Sequence, residues 1–252
     1  MRYFVQFSYK GTDFHGSQTQ PNGVTVQAVM EQAFATLLRC PVSLVFAGRT
    51  DAGVHAEDMW AHWDWNEGAL PIDCAPLAAR LNNLLPATIA IRQVIPVRDE
   101  AHARYSALSR TYAYRVMLRK DPFRKGLYTR IPSAPDWKAM NKASLYLLGK
   151  HDFASFCKVH TDVKTTFCTV TQAEWTVQDE HTAVFTIRAD RFLRNMVRAV
   201  VGTLLQVGQH KMSAADFESV IAARNRCSAG QSAPPEGLYL TRVEYPQDLF
   251  IG

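Results

Sequence analysis

What most limits the fold of this chain is an order of apolar periodicities that runs through it twice. Met1–Tyr9 alternates like a strand, and Val26, Val29, Met30, Ala33, Phe34, Leu37 and Leu38 keep helical spacing behind Thr25, a residue suited to cap a helix. Strands at about 42–47 and 57–65, a helix from Pro76 to Leu84 and a strand at Ile89–Ile95 complete the order β-α-β-β-α-β, that of a ferredoxin-like split βαβ unit. A second pass starts with a strand at Leu108–Leu118 and a long loop holding Pro122, Pro132 and Pro135, followed by a helix at Trp137–Leu148. Strands near 166–178 and 182–189, helices at Arg194–Val207 and Ala214–Ala223, and a strand at Leu238–Tyr245 finish it. The expected class is α/β (α+β), with two ferredoxin-like domains side by side, a cleft between them, and boundaries at 1–100 and 107–246. The polar stretch from Arg98 to Ser106 is the expected boundary. No sequence repeat accompanies the repeated order.

Composition excludes several classes of function. With 252 residues, 47% hydrophobic and 20% charged, the chain can bury one large core or two medium ones, so disorder drops out. No apolar stretch approaches the ~20 residues that cross a bilayer, and no secretory or transit leader is visible. A formal net charge of +5 permits a polyanionic partner without requiring one. Cys40, Cys74, Cys157, Cys168 and Cys227 are odd in number and never spaced C-x-x-C, which argues against a zinc site and a secreted disulfide framework and points to a reducing, cytoplasmic setting.

Three stretches carry chemistry. In Ala47-Gly48-Arg49-Thr50-Asp51-Ala52-Gly53-Val54-His55-Ala56, two glycines bracket a carboxylate on a tight turn between strands, with Arg49 two residues before Asp51. A guanidinium within a few ångströms keeps a carboxylate ionised, the form a nucleophile needs. The same pair could simply close a strand loop. In Arg188–Arg198, helical spacing puts Arg191, Arg194 and Arg198 on one stripe beside an apolar one, which suits phosphates or a carboxylate and is also what a solvated helix face looks like. In Ser109–Arg115, alternation puts Arg110, Tyr112 and Tyr114 on one strand face, a surface on which a base can stack, or a pair of core tyrosines with bonded hydroxyls.

Familiar alternatives are missing. Gly11–Ser17 mimics the glycine spacing of a phosphate loop, but Ser17 stands where lysine is needed, and neither a Rossmann fingerprint nor a nucleophile elbow is found. On a strand His55 and His62 would face opposite sides, so no metal site is expected.

Gly48-Arg49-Thr50-Asp51-Ala52-Gly53-Val54-His55-Ala56, Ser109-Arg110-Thr111-Tyr112-Ala113-Tyr114 and Phe192-Leu193-Arg194-Asn195-Met196-Val197-Arg198 together resemble the blocks of the tRNA pseudouridine synthase A family, as do Phe14-His15-Gly16, Gln18, Gln20 and Gln27. The likeness runs from Met1 to about Tyr245. It implies two ferredoxin-like domains in a cofactor-free homodimer that isomerises uridines at about positions 38 to 40 of the tRNA anticodon arm. It also implies Asp51 as nucleophile, Tyr112 at the target base, Arg198 paired with the aspartate, and Arg49 helping to displace the base from its stack. Arg110, Arg191, Arg194, His55 and Gln18 are expected to contact the substrate. Ser17 departs from the tryptophan of many members and Asn195 from their histidine, which bears on RNA contacts or packing rather than on the reaction.

Two other classes fit parts of this pattern. A non-catalytic RNA-binding module would explain the arginines and tyrosines, but not an acid in the bracketed turn, since a carboxylate facing phosphates weakens polyanion binding. A hydrolase using Asp51 is the remaining alternative.

Overall fold

The structure, a computed structural model, describes residues 1–66, 68, 70–158 and 164–251. The chain forms two compact units, one of Met1–Leu108 with Leu240–Gly252 and the other of Ser109–Tyr239.

In the first unit, β1 (Arg2–Tyr9), α1 (Val26–Leu38), β2 (Val45–Phe46), β3 (His55–Asp64), α2 (Cys74–Leu84) and β4 (Ile89–Val97) follow in the expected β-α-β-β-α-β order. β1 is central, antiparallel to both β3 and β4, with Phe4 opposite His62 on one side and Ile95 on the other. β2 keeps only two residues, pairing Val45 with His62 and Phe46 with Ala61. α1 forms because Val26, Met30, Ala33, Phe34 and Leu38 recur on one buried face, and because Thr25 accepts the Ala28 N–H (3.3 Å), a first-turn donor with no acceptor inside the helix. It stops at Arg39, which takes left-handed backbone angles (φ 58°). Phe4, Phe7, Met30, Phe34, Met59 and Trp63 fill the core.

The second unit holds β5 (Ser109–Met117), β6 (Thr129–Arg130), α3 (Trp137–Ser144), β7 (Gly149–Asp152), β8 (Phe167–Asp179), β9 (Thr182–Ala189), α4 (Met196–Gly208) and α5 (Ala214–Ala223). Its strands run in the order β5-β9-β8-β7, each pair antiparallel, with β6 parallel to β5. α5 starts with a reciprocal cap: Ser213 Oγ accepts the Asp216 N–H (3.1 Å) and Asp216 Oδ2 accepts the Ser213 N–H (2.8 Å).

The last strand, β10 (Leu238–Glu244), begins in the second unit, but from Leu240 onward the chain belongs to the first, whereas the sequence reading ran the second domain to 246. The physical reason is local. The buried carboxylate of Asp58 on β3 accepts the Val243 N–H (2.9 Å) and a Gln6 side-chain N–H (2.7 Å), and Tyr245 packs its ring against Phe4 and Trp60. Among the described residues no helix is long and apolar enough to cross a membrane.

Candidate active site

The Asp51 turn links β2 to β3, and what surrounds it is the loop after β1. Gly53 takes φ 78°, and the Val54 N–H closes the turn onto the Asp51 carbonyl (3.2 Å). Gly11 lies so close to the end of the turn that a Cβ there would sit 1.9 Å from the Val54 carbonyl oxygen, and its N–H is accepted by His55 Nδ1 (3.0 Å). Gly16 (φ 92°) backs onto the turn itself, where a Cβ would lie 2.9 Å from the Thr50 carbonyl oxygen. The loop's glycines are therefore a matter of close backbone approach, not of phosphate binding.

Thr50 is turned inward, its Oγ1 2.8 Å from the Tyr9 hydroxyl, while its N–H donates to Ser17 Oγ (2.8 Å) and its carbonyl accepts the Ser17 N–H (3.2 Å). Asp51 follows on this fixed backbone and is half-buried. Arg49 departs from the sequence reading of a cation beside the acid. Its side chain is exposed and no ion pair joins it to Asp51 among the described residues, because burying Thr50 turns its neighbour outward into water. His55, expected at the substrate, is 1% exposed, and its Nδ1 is occupied by the Gly11 N–H, so it fastens the loop instead. Gln18 is exposed on that loop.

The remaining candidates lie in the second unit. Tyr112 on β5 is half-buried, opposite Ile187, with the Phe192 ring edge-on at 5.0 Å and 84°. Arg110 donates to the Asp190 carbonyl (2.9 Å), and the Asp190 carboxylate accepts the Thr169 and Arg191 N–H groups (2.8 and 2.7 Å), holding the segment before α4. Tyr114 does not share the open face. It is fully buried, its hydroxyl donating to the Pro234 carbonyl (2.8 Å) beside Thr129 Oγ1 (2.7 Å), and burial pushes its phenol well above the usual range.

The expected helical arginine stripe is corrected as well. α4 starts at Met196, so Arg191 and Arg194 precede it and only Arg198 lies on it. Asn195 has φ 66°, which a helix cannot pass through. Its Nδ2 donates to Ser232 Oγ (2.7 Å), to which Arg226 also donates (3.0 Å). Arg198 is anchored twice on the same segment: its Nε donates to the Ala233 carbonyl (2.8 Å) and its own carbonyl accepts the Ala233 N–H (2.9 Å). Gly202 lets that segment approach, since a Cβ there would meet the Gln231 carbonyl oxygen at 1.8 Å. Arg194 is exposed, its carbonyl accepting the Lys158 N–H (3.0 Å).

The first unit thus presents a carboxylate on a rigid turn, and the second, taken by itself, an aromatic ring on a strand and arginines whose backbone is fixed. Among the described residues no group of three or more His, Cys, Asp or Glu side chains could hold a metal ion, and burial pushes the Cys168 thiol up to about 12, away from reactivity. A family model described as tRNA pseudouridine synthase matches residues 143–246. Over 249 residues the chain is 51% identical to tRNA pseudouridine synthase A of Bacteroides fragilis, covering 99% of this chain and 98% of that one. The chain belongs to the tRNA pseudouridine synthase A family. It is 53% identical to the synthase of Parabacteroides distasonis over 250 residues (99% and 98% of the two chains) and 40% identical to that of Bacillus licheniformis over 249 residues (97% and 99%). As a pseudouridine synthase it is an isomerase acting on tRNA, which sets aside both the non-catalytic module and the hydrolase. Sequence reasoning missed Tyr9 and Thr50, whose roles depend on partners far away in the chain. Ser17, already conspicuous as a departure from the family pattern, was the available signal.

Proposed function

We propose that this synthase isomerises uridines at about positions 38 to 40 of the tRNA anticodon arm with Asp51 as the nucleophile, as a homodimer in the cytoplasm. Tyr112 is the aromatic surface against the target base, Arg198 the cation that pairs with the aspartate, and Arg49 the cation that takes the place of the displaced base. Arg110, Arg191, Arg194 and Gln18 hold the RNA.

The reaction explains the residue types. Uridine becomes pseudouridine when the N1–C1′ bond breaks, the base turns, and C5 bonds to C1′. C5 gives up its proton and N1 gains one, so atoms balance without redox chemistry. One carboxylate suffices, by covalent attack or by stabilising a charged sugar. A stacked base must first leave the helix at a cost of a few kcal/mol, which a cation in the gap and an aromatic floor offset. The observation that supports this reading best is a half-buried carboxylate on a turn whose neighbouring backbone is bonded at Thr50 N, Thr50 O and Asp51 O. Rigid backbone under a reacting group is the condition for positioning catalysis.

Mapping pseudouridines in unmodified tRNA transcripts incubated with the protein tests the site of action. Modification confined to about positions 38–40 is expected, and modification elsewhere in the tRNA overturns the assignment.

A further inference from the structure

Ser17 is fully buried, and its polar groups are spent on two different elements. Its N–H donates to the Thr50 carbonyl (3.2 Å) and its Oγ accepts the Thr50 N–H (2.8 Å), while its carbonyl accepts the Gln27 N–H (3.0 Å) in the first turn of α1. The residue before it does the same job with less: the Gly16 carbonyl accepts the Val26 N–H (3.3 Å) and its Cα lies against Thr50. Tyr9, 4% exposed, reaches Thr50 from β1, its hydroxyl 2.8 Å from Oγ1. Thr50, one residue before Asp51, is thus gripped at N–H and carbonyl by Ser17, itself held to the start of α1, and at its hydroxyl by Tyr9 of β1.

We infer that Ser17 is a positioning residue for the reaction: through Thr50 it ties the turn that carries Asp51 to the start of α1, and Tyr9 is the second half of the same clamp. Neither touches the reacting atoms. This rests on the reading of Asp51 as nucleophile.

The physical case is one of geometry against packing. Removing the Ser17 hydroxyl leaves the Thr50 N–H buried without its acceptor, and a group in that position moves until it finds another. That N–H belongs to the Arg49–Thr50 peptide, so its movement passes through Thr50 to the backbone that carries Asp51. A displacement of about 1 Å at a reacting group can cost on the order of a hundredfold in rate, whereas RNA contacts made by exposed arginines elsewhere are untouched. A clamp therefore acts on turnover and leaves substrate binding alone, while a loop that held the RNA would do the reverse.

The test is steady-state pseudouridine formation on one tRNA by wild type, Ser17→Ala, Tyr9→Phe and Asp51→Ala, with tRNA affinity measured in parallel and far-UV circular dichroism confirming fold. Ser17→Ala is expected to lower kcat about tenfold with KM within about twofold of wild type, and Tyr9→Phe to lower kcat about threefold in the same pattern. Wild-type kcat in a folded Ser17→Ala, or a loss confined to KM, overturns the clamp. If Ser17→Ala does not fold, Tyr9→Phe decides: its ring still fills the core, and an unchanged kcat overturns the proposal. Asp51→Ala separates the two levels. Full loss there with normal Ser17→Ala turnover removes the clamp alone, whereas an active Asp51→Ala removes the nucleophile and with it anything to position.

Discussion

His62 should give this protein an acid-side stability loss that one substitution removes. The residue sits on β3, 4% exposed, its ring against Phe4 and His102, and its Nδ1 accepts the Ala103 N–H (3.1 Å). An amide can only donate, so Nδ1 carries no proton in the fold and imidazolium would set two donors face to face. Burial, with smaller contributions from Arg2 and His102, holds its pKa down from 6.5 to about 4. The folded value lies below the unfolded one, so the unfolded chain takes up the proton first as pH falls. The stabilisation is fully present above about 6.5 and is lost as pH falls to about 4. At about 1.4 kcal/mol per pH unit the whole shift is worth about 3 kcal/mol, and about 2 kcal/mol is gone by pH 5. Urea unfolding followed by tryptophan fluorescence at pH 7 and pH 5 measures it. His62→Asn, which keeps an acceptor near the Nδ1 position and cannot titrate, should lose about 2 kcal/mol less than wild type between these pH values. Equal losses in the two proteins would refute the assignment.

Two further outcomes follow from contacts in the second unit. Tyr114→Phe leaves the Pro234 carbonyl and Thr129 hydroxyl without their partner and should destabilise by about 1–3 kcal/mol in a denaturant titration; a change within error would mean that the hydroxyl network is not formed in solution. Arg194→Ala should weaken tRNA binding and reduce the slope of log K against log salt by about 0.7–0.9, as one lost phosphate contact does. An unaltered slope would return Arg194 to an ordinary solvated surface.

Elements with many periodic residues were legible in the sequence; short or strained ones were not. α1 and α5 combine an apolar face with a capping residue, so their starts and their packing faces follow from local signals. β7 has only Gly149-Lys150-His151-Asp152 and no apolar alternation, and what makes it a strand is pairing with β8, a partner that local patterning does not reveal. α4 illustrates the opposite error. Apolar spacing continues back through Leu193, but Asn195 adopts a left-handed conformation, so the arginines before it leave the helix.

The site divides along the same line. The glycines of the Asp51 turn and its carboxylate are local features, and the structure gives them a tight turn. The Arg49–Asp51 ion pair fails because proximity in sequence says nothing about which residue between them is drawn inward, and here Thr50 is. His55 fails for a related reason: its acceptor nitrogen is claimed by Gly11, 44 residues earlier. Buried polar side chains are assigned by their distant partners, and one sequence does not display those.

A side-by-side measurement on Asp51→Ala of tRNA affinity and of tritium released from C5 of labelled uridine in that tRNA decides whether this carboxylate is the nucleophile. Loss of the nucleophile should leave affinity within a few-fold of wild type and abolish tritium release. Release at the wild-type rate would contradict that assignment and leave the Asp51 turn without a catalytic role.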